Sequence, residues 1–308
     1  MKLQSALVWS GVALAVQCGA AGEEAEPHPR VSRDAFEARL PFFAHEPDIP
    51  HEGRVVWEEP TAHGARSKVV YRGAQGFLVP AYLQIPAHAE TPCPLVVLLH
   101  GWSGGKEDWW TADAYISGSE MRTALLEAGY AVFAFDAAAH GERGAEIDYM
   151  NVNPHDDPAA PRRRNYFTIA EIVTQTVKDC RRALGYLADR GDIDMTRVGL
   201  LGYSMGGVET MLLLSMDDRF KMGVACVPPF LAPDWKPVDP VDYTWGLGDT
   251  PLLMLMGRQD TLYSEAPTTA SFKAYFNPKT ARMVWYDRDH QLTPIYVPDA
   301  LAWIKEKL

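Results

Sequence analysis

Short, continuous apolar runs bounded by glycine, proline or polar residues alternate along the chain with longer stretches whose apolar positions recur every three or four residues. The runs predict strands over residues 95–99, 130–135, 198–201, 224–227, 251–256 and 283–285. The longer stretches predict helices over 121–128, 169–187, 205–215, 264–276 and 297–307. In the second of these, Ile169, Ile172, Val173, Thr176, Val177, Cys180, Leu184 and Leu187 fall on one face. Strands that are apolar without interruption suit a sheet buried on both sides. Alternation of such strands with helices requires crossover connections, and so predicts an α/β fold: a mostly parallel, twisted sheet with helices on both faces. Two earlier runs, 69–71 and 77–85, are separated by polar residues and glycine and predict an antiparallel hairpin at the sheet edge. From residue 23 to about 60 the pattern lapses into a stretch rich in proline, glutamate and histidine, with one helix-like piece at 33–40. This stretch is expected to be an ordered arm or a linker. The organisation read from the pattern is therefore an N-terminal extension over 22–64 and one domain over 65–308.

The first residues have a different character. Lys2, an apolar stretch over 6–16 and then Gly19, Ala20, Ala21 and Gly22 have the layout of a signal peptide, placed at 1–21. Its apolar part is shorter than the roughly 20 residues that a stable membrane span needs. The protein is therefore expected to be secreted or periplasmic. Lipid attachment at Cys18 is the competing reading, disfavoured by Gln17, where a small residue would be expected. The 308 residues carry 29 Lys and Arg against 40 Asp and Glu, a net charge of −11 that repels phosphate backbones and argues against a nucleic-acid partner. Cys93, Cys180 and Cys226 are far apart, with neither metal spacing nor the density of a disulfide scaffold, although one disulfide is compatible with export.

The strongest chemical signal is the segment Gly202-Tyr203-Ser204-Met205-Gly206-Gly207, set between an apolar strand and a helix. A sharp turn there would lift the Ser204 hydroxyl into the open and aim the first amides of the helix, with the positive end of its dipole, at the same place. Serine needs a base and the base an orienting acid. His290 is the only histidine after Ser204 and follows a predicted strand. Asp260 follows the strand over 251–256, which puts it at the same carboxyl-terminal edge of the sheet. Asp249 precedes that strand, and Asp287 and Asp289 are too close to His290 in sequence to bond its Nδ1. Upstream, His100-Gly101-Trp102-Ser103-Gly104-Gly105 follows the strand over 95–99, so the amides of Trp102 and Met205 are candidates for an oxyanion hole.

Ser204, Asp260 and His290 in that order, with His100-Gly101 upstream, resemble the α/β-hydrolase superfamily over roughly residues 65–308. Within it the chain is most similar to dienelactone-hydrolase-like and acetyl-xylan-esterase-like enzymes, and also to the catalytic domain of prolyl-oligopeptidase-type peptidases. Phe135-Asp136 with His140-Gly141 is similar to a segment that the family uses structurally, which removes His140 from the candidates for the base. Dienelactone hydrolases proper carry cysteine where this chain has Ser204. The resemblance implies a serine hydrolase of the α/β-hydrolase fold that works through an acyl-enzyme, with no cofactor and no metal.

Trp102, Trp109, Trp110, Tyr203, Tyr243 and Trp245 are candidates for an apolar or sugar-stacking wall, with core or rim packing as the alternative. The loop over 142–164, with Arg143 and the run Arg162 to Arg164, is a candidate lid or anion-binding rim. Little chain lies between Ser204 and Asp260, so no large cap domain is expected, and a small or polymer-attached ester fits. The alternatives are an exported prolyl-oligopeptidase-like peptidase, whose propeller would not fit before residue 65, and a non-catalytic binding module on the same scaffold.

Overall fold

The structure, a computed structural model, describes residues 25–46, 48–146, 165–229 and 237–308. The segment 1–21 read as a signal peptide, Cys18 and the arginine run at 162–164 lie outside these residues. The chain begins with a short helix, α1 (Arg33–Glu37), and three strands, β1 (Arg54–Thr61), β2 (Gly64–Arg72) and β3 (Leu78–Gln84). It continues with β4 (Cys93–Leu99), α2 (Gly118–Glu127), β5 (Ala131–Phe135), α3 (Asn165–Arg190) and β6 (Ile193–Tyr203). Then come α4 (Met205–Met216), β7 (Phe220–Cys226), α5 (Thr244–Leu247), β8 (Leu252–Gly257), α6 (Glu265–Tyr275), β9 (Ala281–Tyr286) and α7 (Val297–Lys307).

The strands form one nine-stranded sheet in the order β1-β2-β3-β5-β4-β6-β7-β8-β9. From β5 to β9 all pairs are parallel, and β1, β2 and β3 add an antiparallel flank. This is the α/β-hydrolase fold. After β4 the chain steps to β5 on one side and then crosses to β6 on the other, so the strand order reverses at β4. Ligands of open parallel sheets bind outside the carboxyl ends of the strands at such a reversal, here the ends of β4 and β6.

Successive side chains of a strand point to opposite faces, and the buried residues divide accordingly. Leu95, Val97 and Leu99 of β4 join one core with α3 and α4, whereas Val96 and Leu98 join a second core with α2 and α7. Burial on both faces explains why these strands read as unbroken apolar runs. Helix α4 is apolar around its circumference and buried from Met205 to Ser215, because it is wedged between the sheet and α3.

The hairpin β2–β3 is present but is not the edge of the sheet. The edge is β1, which lies in the stretch expected to be an arm or a linker. Its residues are exposed on nearly every position, so no alternation of apolar and polar residues betrays it; pairing with β2 alone makes it a strand. Ahead of it, the segment around α1 is an arm laid against the body. The Arg30 guanidinium lies 3.5 Å over the Trp245 ring and 4.4 Å over that of Tyr275, and Arg39 Nη1 donates to the buried carboxylate of Asp242 at 2.7 Å. Tyr243 is buried in the core and Trp245 Nε1 donates to the Val31 carbonyl. This pair therefore seats the arm and does not wall a pocket. Cys93, Cys180 and Cys226 are buried free thiols. Among the described residues, no helix is long and apolar enough to cross a membrane.

Candidate active site

Strand β6 ends at Tyr203 and α4 begins at Met205, leaving Ser204 alone in the turn with φ 55° and ψ −115°. A positive φ is costly for a residue with a side chain and persists only where the surroundings over-determine it. Here they do. A Cβ on Gly202 would sit 1.9 Å from the Gly206 carbonyl oxygen, and one on Gly206 would sit 2.2 Å from that of Leu99. The turn is thus packed backbone to backbone, and the Ser204 N–H is tied to the Cys226 carbonyl at 2.8 Å. The Ser204 carbonyl accepts from Gly207 and Val208, as the start of a helix requires, while the side chain stands partly exposed.

The loops after β8 and β9 bring Asp260 and His290 to the same edge. Ser204 Oγ lies 2.8 Å from His290 Nε2, and His290 Nδ1 lies 2.6 Å from Asp260 Oδ2. The arrangement is that of a hydroxyl donating to one ring nitrogen while the other donates its proton to a carboxylate. The Asp260 side chain is buried, and its Oδ1 accepts from the Leu262 N–H at 2.9 Å. Tyr263 adds a further bond. Its hydroxyl accepts from the Gly257 N–H at 2.9 Å, near the Asp260 carboxylate. Burial above all holds this phenol in its protonated form. Nothing in the sequence pattern singles out Tyr263, because its part depends on a turn that folds it back onto the end of β8.

The loop after β4 closes the other side. An added Cβ at Gly101 would lie 3.4 Å from Ser204 Cβ, so the backbone passes directly beside the serine. The Gly101 carbonyl accepts from the His100 Nδ1–H at 2.8 Å and from the Gly104 N–H at 3.1 Å. In a trans peptide the N–H opposes the carbonyl, so these bonds also fix the direction of the Trp102 N–H. His100 Nε2 accepts from Ala137 N–H at 3.0 Å; both ring nitrogens are thus committed in the neutral form, and burial lowers its pKa further below the ordinary value.

The segment after β5 is a structural knot. Asp136, fully buried, accepts from the Lys106 amide and ammonium, each at 2.8 Å, and from the Glu142 N–H at 3.0 Å. Gly141 has φ +55°, and a Cβ there would lie 2.3 Å from Asp136 Oδ1. His140 is buried beside His100 and donates from Nδ1 to the Ala138 carbonyl at 2.8 Å. Burial first, then the neighbouring His100, hold its pKa down to about 4. Arg143 is buried too, bonded to Asp179 Oδ2 at 2.8 Å, so it is not part of an anion-binding rim. Residues 147–164 of that loop lie outside the described residues.

A cavity of about 250 Å³ opens over Ser204 and His290, walled by Gly101, Trp102, Ser103, Asp108, Tyr115, Ile116 and Tyr203. Two of the candidate wall residues, Trp109 and Trp110, lie away from the cavity. Trp109 is wholly buried in the second core with Met121 and Leu125, because the 3₁₀ turn Lys106–Trp109 rotates its ring inward. Trp110 stands edge-on to Tyr82 and donates to Gln84 Oε1, away from the cavity. Tyr203 borders the cavity, but its hydroxyl is engaged with the loop that carries His290. The exposed ring of Tyr115, 6.5 Å from that of His290, occupies the mouth instead. Among the described residues, no group of three or more His, Cys, Asp or Glu is placed to hold a metal ion.

Residues 96–304 match the model of the alpha/beta hydrolase family, and the chain belongs to that family. Among curated proteins it is 28% identical over 149 residues to "Putative hydrolase YtaP" of Bacillus subtilis (strain 168), covering 47% of this chain and 46% of that protein. The chain thus spans less than half the length of this relative. Among solved structures it is similar to an acetyl xylan esterase from Paenibacillus sp. R4, with a TM-score of 0.67, 19% identity, and coverage of 92% of this chain and 97% of that one. Acetyl xylan esterase 1 from Thermoanaerobacterium sp. JW/SL YS485 gives a TM-score of 0.65 at 15% identity, covering 92% and 95%. At these identities the likeness is one of fold.

Proposed function

We propose that the protein is a serine hydrolase that cleaves carboxylic esters through an acyl-enzyme on Ser204, with His290 as base and acid and Asp260 as the orienting carboxylate. The observation that carries this reading is the continuous hydrogen-bonded path from Ser204 Oγ through His290 to Asp260, at 2.8 and 2.6 Å, on the floor of an open cavity. Ser204 Oγ attacks the ester carbonyl carbon while His290 Nε2 takes its proton. The oxygen of the tetrahedral intermediate is held by the amides of Trp102 and Met205, each of which is worth about 3 kcal/mol in the transition state. The C–O bond to the alcohol then breaks as the imidazolium returns the proton to that oxygen. Water, activated by the same ring, releases the acid and restores Ser204. Asp260 keeps the proton of the neutral ring on Nδ1 and stabilises the imidazolium.

An ester is the substrate class that the cavity favours. About 250 Å³ over Ser204 accommodates a small acyl group, with the alcohol portion left in solvent past Tyr115. Esters on carbohydrate are included in the proposal, supported by the similarity of fold to acetyl xylan esterases, as is export by the leader at 1–21. The test is a panel of p-nitrophenyl esters, acetylated xylan and a prolyl anilide on the purified chain. Turnover of short esters with none of the anilide is the expected result; preference for the anilide would overturn the ester reading in favour of a peptidase.

A further inference from the structure

We propose that the Tyr203 hydroxyl is a strut that holds the main chain of His290 within reach of Ser204, making Tyr203 a positioning residue for hydrolysis. The inference rests on the reading of Ser204 and His290 given above.

Tyr203 is the last residue of β6 and the neighbour of Ser204 in the chain. Its side chain belongs to the second core, where the ring is buried and meets Tyr296 edge-on at 5.9 Å. From there the hydroxyl reaches the loop between β9 and α7 and makes two bonds at once. It donates to the His290 carbonyl at 2.9 Å and accepts from the Leu292 N–H at 2.8 Å. Leu292 is fully buried, so water cannot take over that acceptor without opening the core. The ring also stands edge-on to the imidazole, 6.3 Å between centroids. The residue beside the nucleophile thus grips the backbone of the base and that of the second residue after it.

Among the described residues the imidazole has two polar contacts, to Ser204 and Asp260, and both depend on where the main chain sets its Cα. The other anchors of the loop are Gln259 N–H on the Arg288 carbonyl and Arg258 N–H on the Tyr286 carbonyl, each at 2.9 Å, which fix the exit from β9, and the exposed Gln291 Nε2 on the Tyr115 carbonyl at 3.2 Å. The buried main-chain bonds at 290 and 292 are those to Tyr203. Because burial raises the pKa of this phenol, it remains a donor throughout any assay range. A substrate-binding part for the hydroxyl is disfavoured by valence, since the one proton and an acceptor site are already spent on backbone groups.

Tyr203→Phe keeps the ring and removes only the oxygen. On p-nitrophenyl acetate its kcat is expected to fall about 10- to 100-fold, as for a displacement of the base by less than about 1 Å, with KM within about threefold. The rate of fluorophosphonate labelling at Ser204 should fall in parallel, and the downfield proton resonance of the His290 to Asp260 bond should broaden or move. Ile304→Ala, a truncation in the same core on α7, serves as the control for general loosening: its melting temperature falls while kcat and the resonance stay. If Tyr203→Phe keeps the parental kcat and resonance, or if both variants lose kcat alike, the strut is refuted while the ester reading stands. If the parent chain neither turns over esters nor takes the label, both fall together.

Discussion

At the scale of single residues, the account predicts unequal losses. Asp260 accepts from His290 and Leu262, and Asp260→Asn would replace an oxygen acceptor by an amide that forces the wrong ring tautomer on His290. A drop in kcat of about 10³- to 10⁴-fold is expected, measured with p-nitrophenyl acetate, with the fold intact by circular dichroism. Retention of more than a tenth of the rate would contradict the part given to Asp260. The meeting of Ser204, Asp260 and His290 at one edge was legible from the sequence, because each follows an apolar strand and strand ends of a parallel sheet share one edge. Legibility failed for residues whose contribution depends on which way a turn rotates a side chain. Trp109 reads as a loop aromatic near the mouth but is swung into the core by one 3₁₀ turn. Tyr203 reads as a contact for substrate, yet its hydroxyl faces the loop behind His290. Tyr263 gave no signal.

At the scale of elements, α4 carries an oddity. Glu209, a turn beyond Ser204, is buried in an apolar helix, and among the described residues its Oε1 has no hydrogen-bond partner. Burial pushes its pKa well above the ordinary value, so the folded chain holds a proton that the unfolded chain releases near 4.5. Stability is therefore greatest below that pH and is lost as pH rises past it, which leaves Glu209 a net cost at pH 8. Glu209→Gln is expected to melt higher than the parent at pH 8 and about level with it at pH 4. Equal destabilisation at both would show the acid to be a structural necessity instead. The sheet illustrates what the periodic pattern can and cannot reveal. Strands β4 to β8 announce themselves by runs that are apolar on both faces, whereas β1 buries neither face and is held by backbone bonds, which leave no mark on residue type.

The whole molecule ties its N-terminal arm to the α/β domain and should respond to acid as a unit. Removing residues up to 43 would strip Trp245 and Tyr275 of the Arg30 guanidinium and leave the buried Asp242 carboxylate without Arg39. The core would also lose the buried rings of Phe36 and Phe43, so the shortened chain should melt several degrees lower; an unchanged melt would make the arm an ornament. The acid response follows from His140. Its folded pKa of about 4 lies below the 6.5 of the open chain, so stability is complete above 6.5 and is lost as pH falls from there toward 4. The loss from this residue is on the order of 3 kcal/mol, and His100, lowered in the same direction by burial, adds to it. Glu209 acts in the opposite sense, so the check is a comparison of melts at pH 7.5 and 4.5 in the parent and in His140→Asn: the variant should lose less stability on acidification, and an equal loss would contradict the buried neutral ring.

The most direct test of the central claim is the mass of the intact chain after treatment with a fluorophosphonate, followed by peptide mapping. A single adduct on Ser204, absent from Ser204→Ala and formed far more slowly by His290→Ala, is the predicted result. An unmodified parent chain, or an adduct that His290→Ala forms at the parental rate, would contradict it.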